Sequence, residues 1–295
     1  MQKDIHETRK CTQNCVCNIT DITTAILRME EHLNNELFVK NGIIEEKKLW
    51  KNTYINKQIQ RRKNGDSFSL EDHIRAMVYS MLSSSMPWDR IAKDVDIETG
   101  KITTIDNIFS EYHPTILLES SPETLRDMLK GIHCAGQSTL KQMKALVEKN
   151  INLLLAIEKD YGNIDAFYTR LSKCDATYKT LIHSLSDSES EYKLTQMGIP
   201  LVAEYLRNVG YDIAKPDRHI QRILGRDILG LSEHKIVPLD ECFDIVFALA
   251  QATNRNVAEV DYILWAYCSK GYGEICTKNN PKCDDCTIKM YCKIQ

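Results

Sequence analysis

Four cysteines near the carboxyl end, Cys276, Cys283, Cys286 and Cys292, carry the clearest chemistry in the chain. Their spacing is C-x6-C-x2-C-x5-C, which puts four soft thiolates on one short polar stretch. In a reducing compartment a set this dense points to a metal or a cluster rather than to disulfides. Zinc accepts four thiolates, but its common spacing is two C-x2-C pairs separated by a longer loop. Here a single C-x2-C pair is flanked by two lone cysteines, and iron-sulfur ligation fits that pattern better. Cys11, Cys15 and Cys17 have no fourth ligand nearby in sequence and read as free thiols. A second candidate is Asp217, after Pro216 and at the head of a segment whose Ile220, Ile223 and Leu224 share one helical face. Taken alone, an aspartate there is a helix cap.

The elements that must hold these groups are helices. Apolar residues recur at spacings of three and four, as in Ile74, Met77, Val78, Met81 and Leu82, and in Leu140, Met143, Leu146 and Val147. Strand-like alternation is scarce, and seven prolines and twelve glycines leave few breaks. Those breaks fall at Asn64-Gly65-Asp66, His113-Pro114, Ser120-Ser121-Pro122, Gly131 to Gly136, Ser184 to Ser190, Lys215-Pro216 and Val237-Pro238. A mainly α chain of 295 residues has the length for two lobes. With 43% hydrophobic and 27% charged residues, its composition is that of a globular protein. No apolar run approaches the roughly 20 residues that span a bilayer, so no membrane partner is expected. No secretory signal follows Met1, and the expected location is intracellular, in the cytoplasm or nucleoid. A net charge of -3 does not by itself advertise a nucleic-acid partner. Local charge differs: Lys57 to Lys63, Lys215 to Arg226 and the tail with Lys278, Lys282, Lys289 and Lys293 are basic. Residues 1–48, with one amphipathic stretch from Asp21 to Val39, form an extension without a motif.

The cysteine spacing, directly after an aromatic-rich helix with Tyr262, Trp265 and Tyr267, resembles the cluster loop of endonuclease III and the adenine-mismatch DNA glycosylases. The resemblance runs from about Phe68 to Cys292. It implies a 4Fe-4S cofactor, mainly structural, with Lys278 and Lys282 presented to a DNA phosphate. The segment Leu194 to Leu206, with Met197 and Gly198, is similar to the family's helix-hairpin-helix, whose amides face a phosphate oxygen. Gln196 departs from the pattern, standing where the first hairpin glycine belongs. Asp217 matches the family's catalytic aspartate, which stabilises positive charge on the sugar and orients or deprotonates the attacking water. Pro200 aligns with the lysine that bifunctional members use as a Schiff-base nucleophile, and neither Lys193 nor Lys215 occupies that position.

Excising a base requires extruding it, so the stack must be refilled and a pocket must receive the base. Met77 to Trp88 resembles the helix and loop that do this in the family, with Ser85 at the place of an intercalating glutamine and Met86 or Trp88 as the longer wedge. Tyr79 stands where adenine-mismatch enzymes keep a glutamate, which argues against that activity. Tyr79, Ser83 and Trp88 are the expected base pocket, with Tyr79 equally readable as a core residue. His133 and Gln137 lie on a segment similar to the minor-groove loop. The implied fold is all-α, with two helical domains and a DNA-binding cleft between them. One is a six-helix barrel domain over 66–212 carrying the hairpin near 194–206; the other is an iron-sulfur cluster domain formed by 49–65 plus 213–295. The implied function is a monomeric, monofunctional base-excision-repair glycosylase acting on double-stranded DNA that contains a damaged or mismatched base. The alternatives are a bifunctional glycosylase/AP lyase with a displaced lysine and a non-catalytic iron-sulfur DNA-binding protein.

Overall fold

The computed structural model describes residues 21–35, 38–40, 43–45, 50–84, 86–96 and 99–294. Cys11, Cys15, Cys17 and Ser85 lie outside these residues. Helix α1 covers residues 21–35, and the only strands among the described residues are β1 (Phe38–Lys40) and β2 (Ile43–Glu45), an antiparallel pair. Val39, the last residue of the amphipathic stretch read in the sequence, belongs to β1. The remaining helices are α2 (Tyr54–Lys63), α3 (Leu70–Ser83), α4 (Trp88–Ile91), α5 (Thr103–Asp106), α6 (Pro114–Leu118), α7 (Pro122–Gly131), α8 (Thr139–Ala145) and α9 (Ile151–Tyr161). They continue with α10 (Ile164–Ser172), α11 (Lys179–Ser186), α12 (Ile199–Asn208), α13 (Arg218–Ile223), α14 (Leu239–Thr253) and α15 (Val257–Cys268). None is long and apolar enough to cross a membrane among the described residues. The architecture is helical, as the apolar periodicity required.

Two compact units result, Asn52–Ile213 and Ala214–Gln295 with the described part of Met1–Lys51. In the first, α3 is the axis. Ser69 and Asp72 close a capping box at its start, so its first amides are satisfied before the apolar residues begin. His73, Ile74, Met77, Val78, Tyr79 and Met81 along it are fully buried. Buried polar side chains tie neighbouring helices to its backbone: Asn208 of α12 donates to Ala76 O at 3.2 Å and Gln142 of α8 to Met81 O at 2.9 Å. In return, Ser80 of α3 donates to Leu201 O of α12 at 2.6 Å. Between α8 and α9 the helix widens into a π turn at Leu146–Asn150, a feature that apolar spacing does not reveal. The turn carries Asn150, whose side chain donates to Thr195 O at 3.0 Å and accepts from Thr195 N at 2.8 Å. It therefore clamps the segment that leads into α12.

Helix α2 also belongs to this unit, whereas the sequence assigned residues 49–65 to the cluster domain. Its polar groups decide the matter: the Tyr54 hydroxyl donates to Asn208 O at 3.0 Å and Arg62 to Val209 O at 2.7 Å and Asp165 at 2.8 Å. Gly210, at φ +84°, allows the chain to turn against α2; a Cβ there would come within 2.4 Å of Gln58 O. In the second unit α13, α14 and α15 pack with α1, and the buried Asp261 of α15 accepts the Lys215 amide at 2.8 Å.

Candidate functional site

The sequence-selected carboxylate and cysteines meet in the second unit. Asp217 caps α13: its Oδ1 accepts from His219 N at 2.7 Å and Ile220 N at 3.2 Å. Both amides go to one oxygen, so Oδ2 lies outside the cap. The side chain is half-buried. On the same short helix, Arg222 reaches the first cysteine of the tail. It donates from Nη1 to Cys276 Sγ at 3.4 Å and from Nη2 to Cys276 O. The Cys276 thiol is brought down to about 6, chiefly by a hydrogen bond from the buried Cys268 thiol and then by Arg222, against the effect of burial. Neither Arg222 nor Cys268 was singled out by sequence, although Arg222 lies one helical turn beyond Asp217 and carried that signal.

The four tail cysteines form a donor set whose chemistry can be set against the needs of an iron-sulfur cluster. Cys276, Cys286 and Cys292 are half-buried and Cys283 is exposed. Burial raises the Cys292 thiol, and the charges of Cys276, Cys286 and Cys283 act in the same direction, so the four sulfurs sense one another. The Tyr267 hydroxyl stands 3.4 Å from Cys286 Sγ while accepting from Thr287 N at 3.1 Å. Donors aimed at thiolate sulfurs are a regular feature of cluster surroundings. Among the described residues no three ligating side chains close on a single-ion position. A four-iron cluster takes one thiolate per iron, which asks for sulfurs ringing a volume rather than meeting at a point. In number and softness the four thiolates match what such a group takes. Lys278 and Lys282 between the first two cysteines are exposed, Lys282 with Glu274 at 3.9 Å.

In the first unit the segment expected to form the hairpin has a left-handed residue, Gln196, at φ +63°. Gly198 has φ -87° and ψ 173° as the N-cap of α12. That backbone needs no glycine. Nor does space demand one: a Cβ there would meet nothing within 4 Å, and the residue is exposed. Pro200 in the first turn lacks an N–H to satisfy, and no side chain caps the helix, so the approach to its amides is open. Met197 is fully buried and anchors the turn rather than offering its side chain to a ligand. Lys193 is held by two carbonyls, Ser186 O and, at 2.7 Å, Met197 O.

Of the residues expected in a base pocket, Tyr79 lies in the core while Ser83 and Trp88 are half-buried. Tyr79 is fully buried; it donates to Asp106 Oδ1 at 2.6 Å and accepts from Ile102 N at 2.9 Å. Tyr112 donates to the same Oδ1 at 2.7 Å. Burial, then the Asp106 charge, pushes the Tyr79 phenol far above its ordinary range. Tyr79 is therefore a core tyrosine and does not line a pocket, because its hydroxyl completes a buried Asp106 network. Ser83 turns its hydroxyl to Ser80 O at 2.8 Å, and Met86 and Trp88 are half-buried. His133, left-handed at φ +60°, and Gln137 are exposed. His133 borders an open cavity of about 430 Å³ with Ile91, Ile105 and Ile132 in its wall and Arg90 and Lys93 at its rim. The two cations were missed by sequence. They stand just beyond the expected wedge residues, in the segment Trp88-Asp-Arg90-Ile-Ala-Lys93.

No protein-family model matches the chain, and neither does any curated protein. Two solved structures from Methanocaldococcus jannaschii are similar. One is an 8-oxoguanine glycosylase/lyase in complex with 15mer DNA containing 8-oxoguanine, 20% identical, with 82% of this chain and 95% of that chain covered and a TM-score of 0.49. The other is an 8-oxoguanine DNA glycosylase, 20% identical over 82% and 92%, with a TM-score of 0.46.

Proposed function

We propose that the chain is a DNA glycosylase that hydrolyses the N-glycosidic bond of a damaged or mismatched base in double-stranded DNA, without a lyase step. The observation that carries this reading is Asp217, held at the start of α13 by two amides on one oxygen while the other oxygen stays outside the cap. As the bond from the sugar to the base breaks, its electron pair leaves with the base and positive charge grows on the sugar. The carboxylate opposes that charge and accepts a proton from the water that attacks the sugar carbon. Cys276, Cys283, Cys286 and Cys292 would hold a 4Fe-4S cluster, which contributes structure when bound. Through Arg222 that loop is joined to the helix that Asp217 caps. The exposed amides of α12 beside Gly198, with Lys278 and Lys282, supply phosphate contacts. Pro200 offers no amine, and the Lys193 ammonium is committed to two carbonyls.

The test uses labelled duplexes, each with one different lesion, scored for strand breaks before and after alkali, with Asp217→Asn in parallel. Breaks that need alkali and vanish in the variant are the expected result. Breaks without alkali, together with an adduct trapped by borohydride, would overturn the hydrolysis-only part. Tight duplex binding with no lesion released would overturn the glycosylase itself.

A further inference from the structure

Helix α1 belongs to the extension that carries no motif, yet its contacts are specific. Ile22, Ala25, Ile26 and Met29 are buried, at the three- and four-residue spacing of a single helical face. The helix is fastened to the α14–α15 corner by a two-pronged ion pair: Arg255 donates to Glu30 at 2.6 Å and 2.8 Å, and also to Glu259 of α15 at 2.7 Å. Only 19% of the Arg255 side chain is exposed. Bidentate, partly buried pairs of this kind hold better than ordinary surface pairs.

The rest of α1 lies against the cysteine loop. Leu33 sits over Gly273, where an added Cβ would come within 2.9 Å of Leu33 Cδ2. His32 meets the Tyr267 ring edge-on with centroids 5.7 Å apart, and Tyr267 is the residue whose hydroxyl faces Cys286 Sγ. Arg28 donates to Met290 Sδ at 3.2 Å and stands over the Tyr291 ring at 5.7 Å, while its carbonyl accepts from Thr287 Oγ1 at 3.5 Å. Thr287, Met290 and Tyr291 all fall between Cys286 and Cys292. A helix that merely filled out the corner would need the fastening alone. Contact with the two residues before the loop and three within it makes α1 a cover for the loop as well.

We propose that α1 is a strap over the four-cysteine loop whose docking sets the lifetime of the iron-sulfur cluster held there. The inference rests on the cluster reading above. While docked, the strap fixes Tyr267 and the segment 287–291, so the cysteines that bracket that segment, Cys286 and Cys292, stay in place. When it lifts, Cys286 and Cys292 would be the first of the four cysteines to lose the support that holds their thiolates in place. Local openings of this type occur far below the free energy of global unfolding, and their population governs how fast a chelator gains access.

The experiment follows the full-length, iron-loaded protein in excess EDTA without oxygen, by visible absorbance and protein-bound iron. Glu30→Ala loosens the fastening and Leu33→Ala thins the cover, so each reports if the other fails to fold. Each variant is expected to lose iron about tenfold faster than wild type, the factor that corresponds to about 1.4 kcal/mol of docking. Hydrogen exchange should quicken at 286–292 while α14 keeps its protection. Iron loss at the wild-type rate, in variants whose α1 exchanges freely, would overturn the strap and leave the cluster standing. Wild-type protein that binds no iron would overturn the cluster reading, and the strap with it.

Discussion

At the scale of single residues, a role in folding and a role in chemistry can share one side chain, and at Asp217 the observed cap and the proposed chemistry can be separated. Asparagine caps helices as well as aspartate does. Asp217→Asn should therefore leave stability within about 0.5 kcal/mol of wild type while lowering base release by about 100-fold or more. Asp217→Ala should lose about 1 kcal/mol as well, measured by urea unfolding. Equal stability losses in the two variants would mean that the charge, not the cap, supports α13. Gln196 poses the opposite case, a residue in a backbone region that favours glycine. Gln196→Gly should stabilise the protein by about 0.5 kcal/mol, since relief of left-handed strain slightly exceeds the added entropy of the unfolded chain. A destabilised variant would show that the glutamine side chain contributes something the backbone argument omits.

At the scale of elements, α3 is held by polar groups that apolar pattern reading treats as interchangeable with core. Tyr79→Phe removes one of the two phenol donors to Asp106 and should cost about 1 to 2 kcal/mol. Base release and lesion preference should stay as in wild type; an altered preference would restore Tyr79 to a pocket. The junction of α2, α3 and α10 predicts a pH dependence. His73 is buried, with Nδ1 2.7 Å from the Tyr205 hydroxyl and Nε2 3.5 Å from Asp165. Burial holds it below its ordinary value although Asp165 pulls it upward. Burial opposes ionisation of Asp165 too, but His73 and Arg62 outweigh it and hold the carboxyl at about 2. Both groups have folded values below their unfolded ones, so both contributions are complete at neutral pH and are lost on acidification. The His73 contribution should fade as pH falls below about 6.5, and that of Asp165, about 1 to 2 kcal/mol after allowance for its partial exposure, between about pH 4 and 2. Urea midpoints measured from pH 7.5 to 3 test this. His73→Gln should flatten the upper part of the decline, and an unchanged profile would remove His73 as its source.

At the scale of the whole molecule, a net charge of -3 means that the DNA binding proposed above would depend on where the cations stand. The exposed Lys278 and Lys282 in one unit, and Arg90 and Lys93 in the other, provide local positive potential. The double substitution Lys278→Ala/Lys282→Ala should weaken lesion-bearing and plain duplexes alike. It should also reduce the slope of log affinity against log salt by about 2, near 0.9 for each phosphate that is no longer neutralised. An unchanged slope would mean that these lysines face solvent in the complex.

The sequence by itself determined what is local. Helical periodicity, the breaks at Pro114, Pro122 and Pro238 and the cap at Asp217 all follow from neighbours in the chain, and each occurs where that chemistry puts it. Tertiary structure alone decided what depends on distant partners. Tyr79 became core because Asp106 and Tyr112 converge on it, and α2 lodged with α3 and α12 because Tyr54 and Arg62 found carbonyls near its end. Arg222 met Cys276, and α1 met the cysteine loop, across long stretches of chain. A side chain's periodicity says which face of a helix it occupies; only packing says what that face meets, because the energy of a buried polar group depends on the partner it finds.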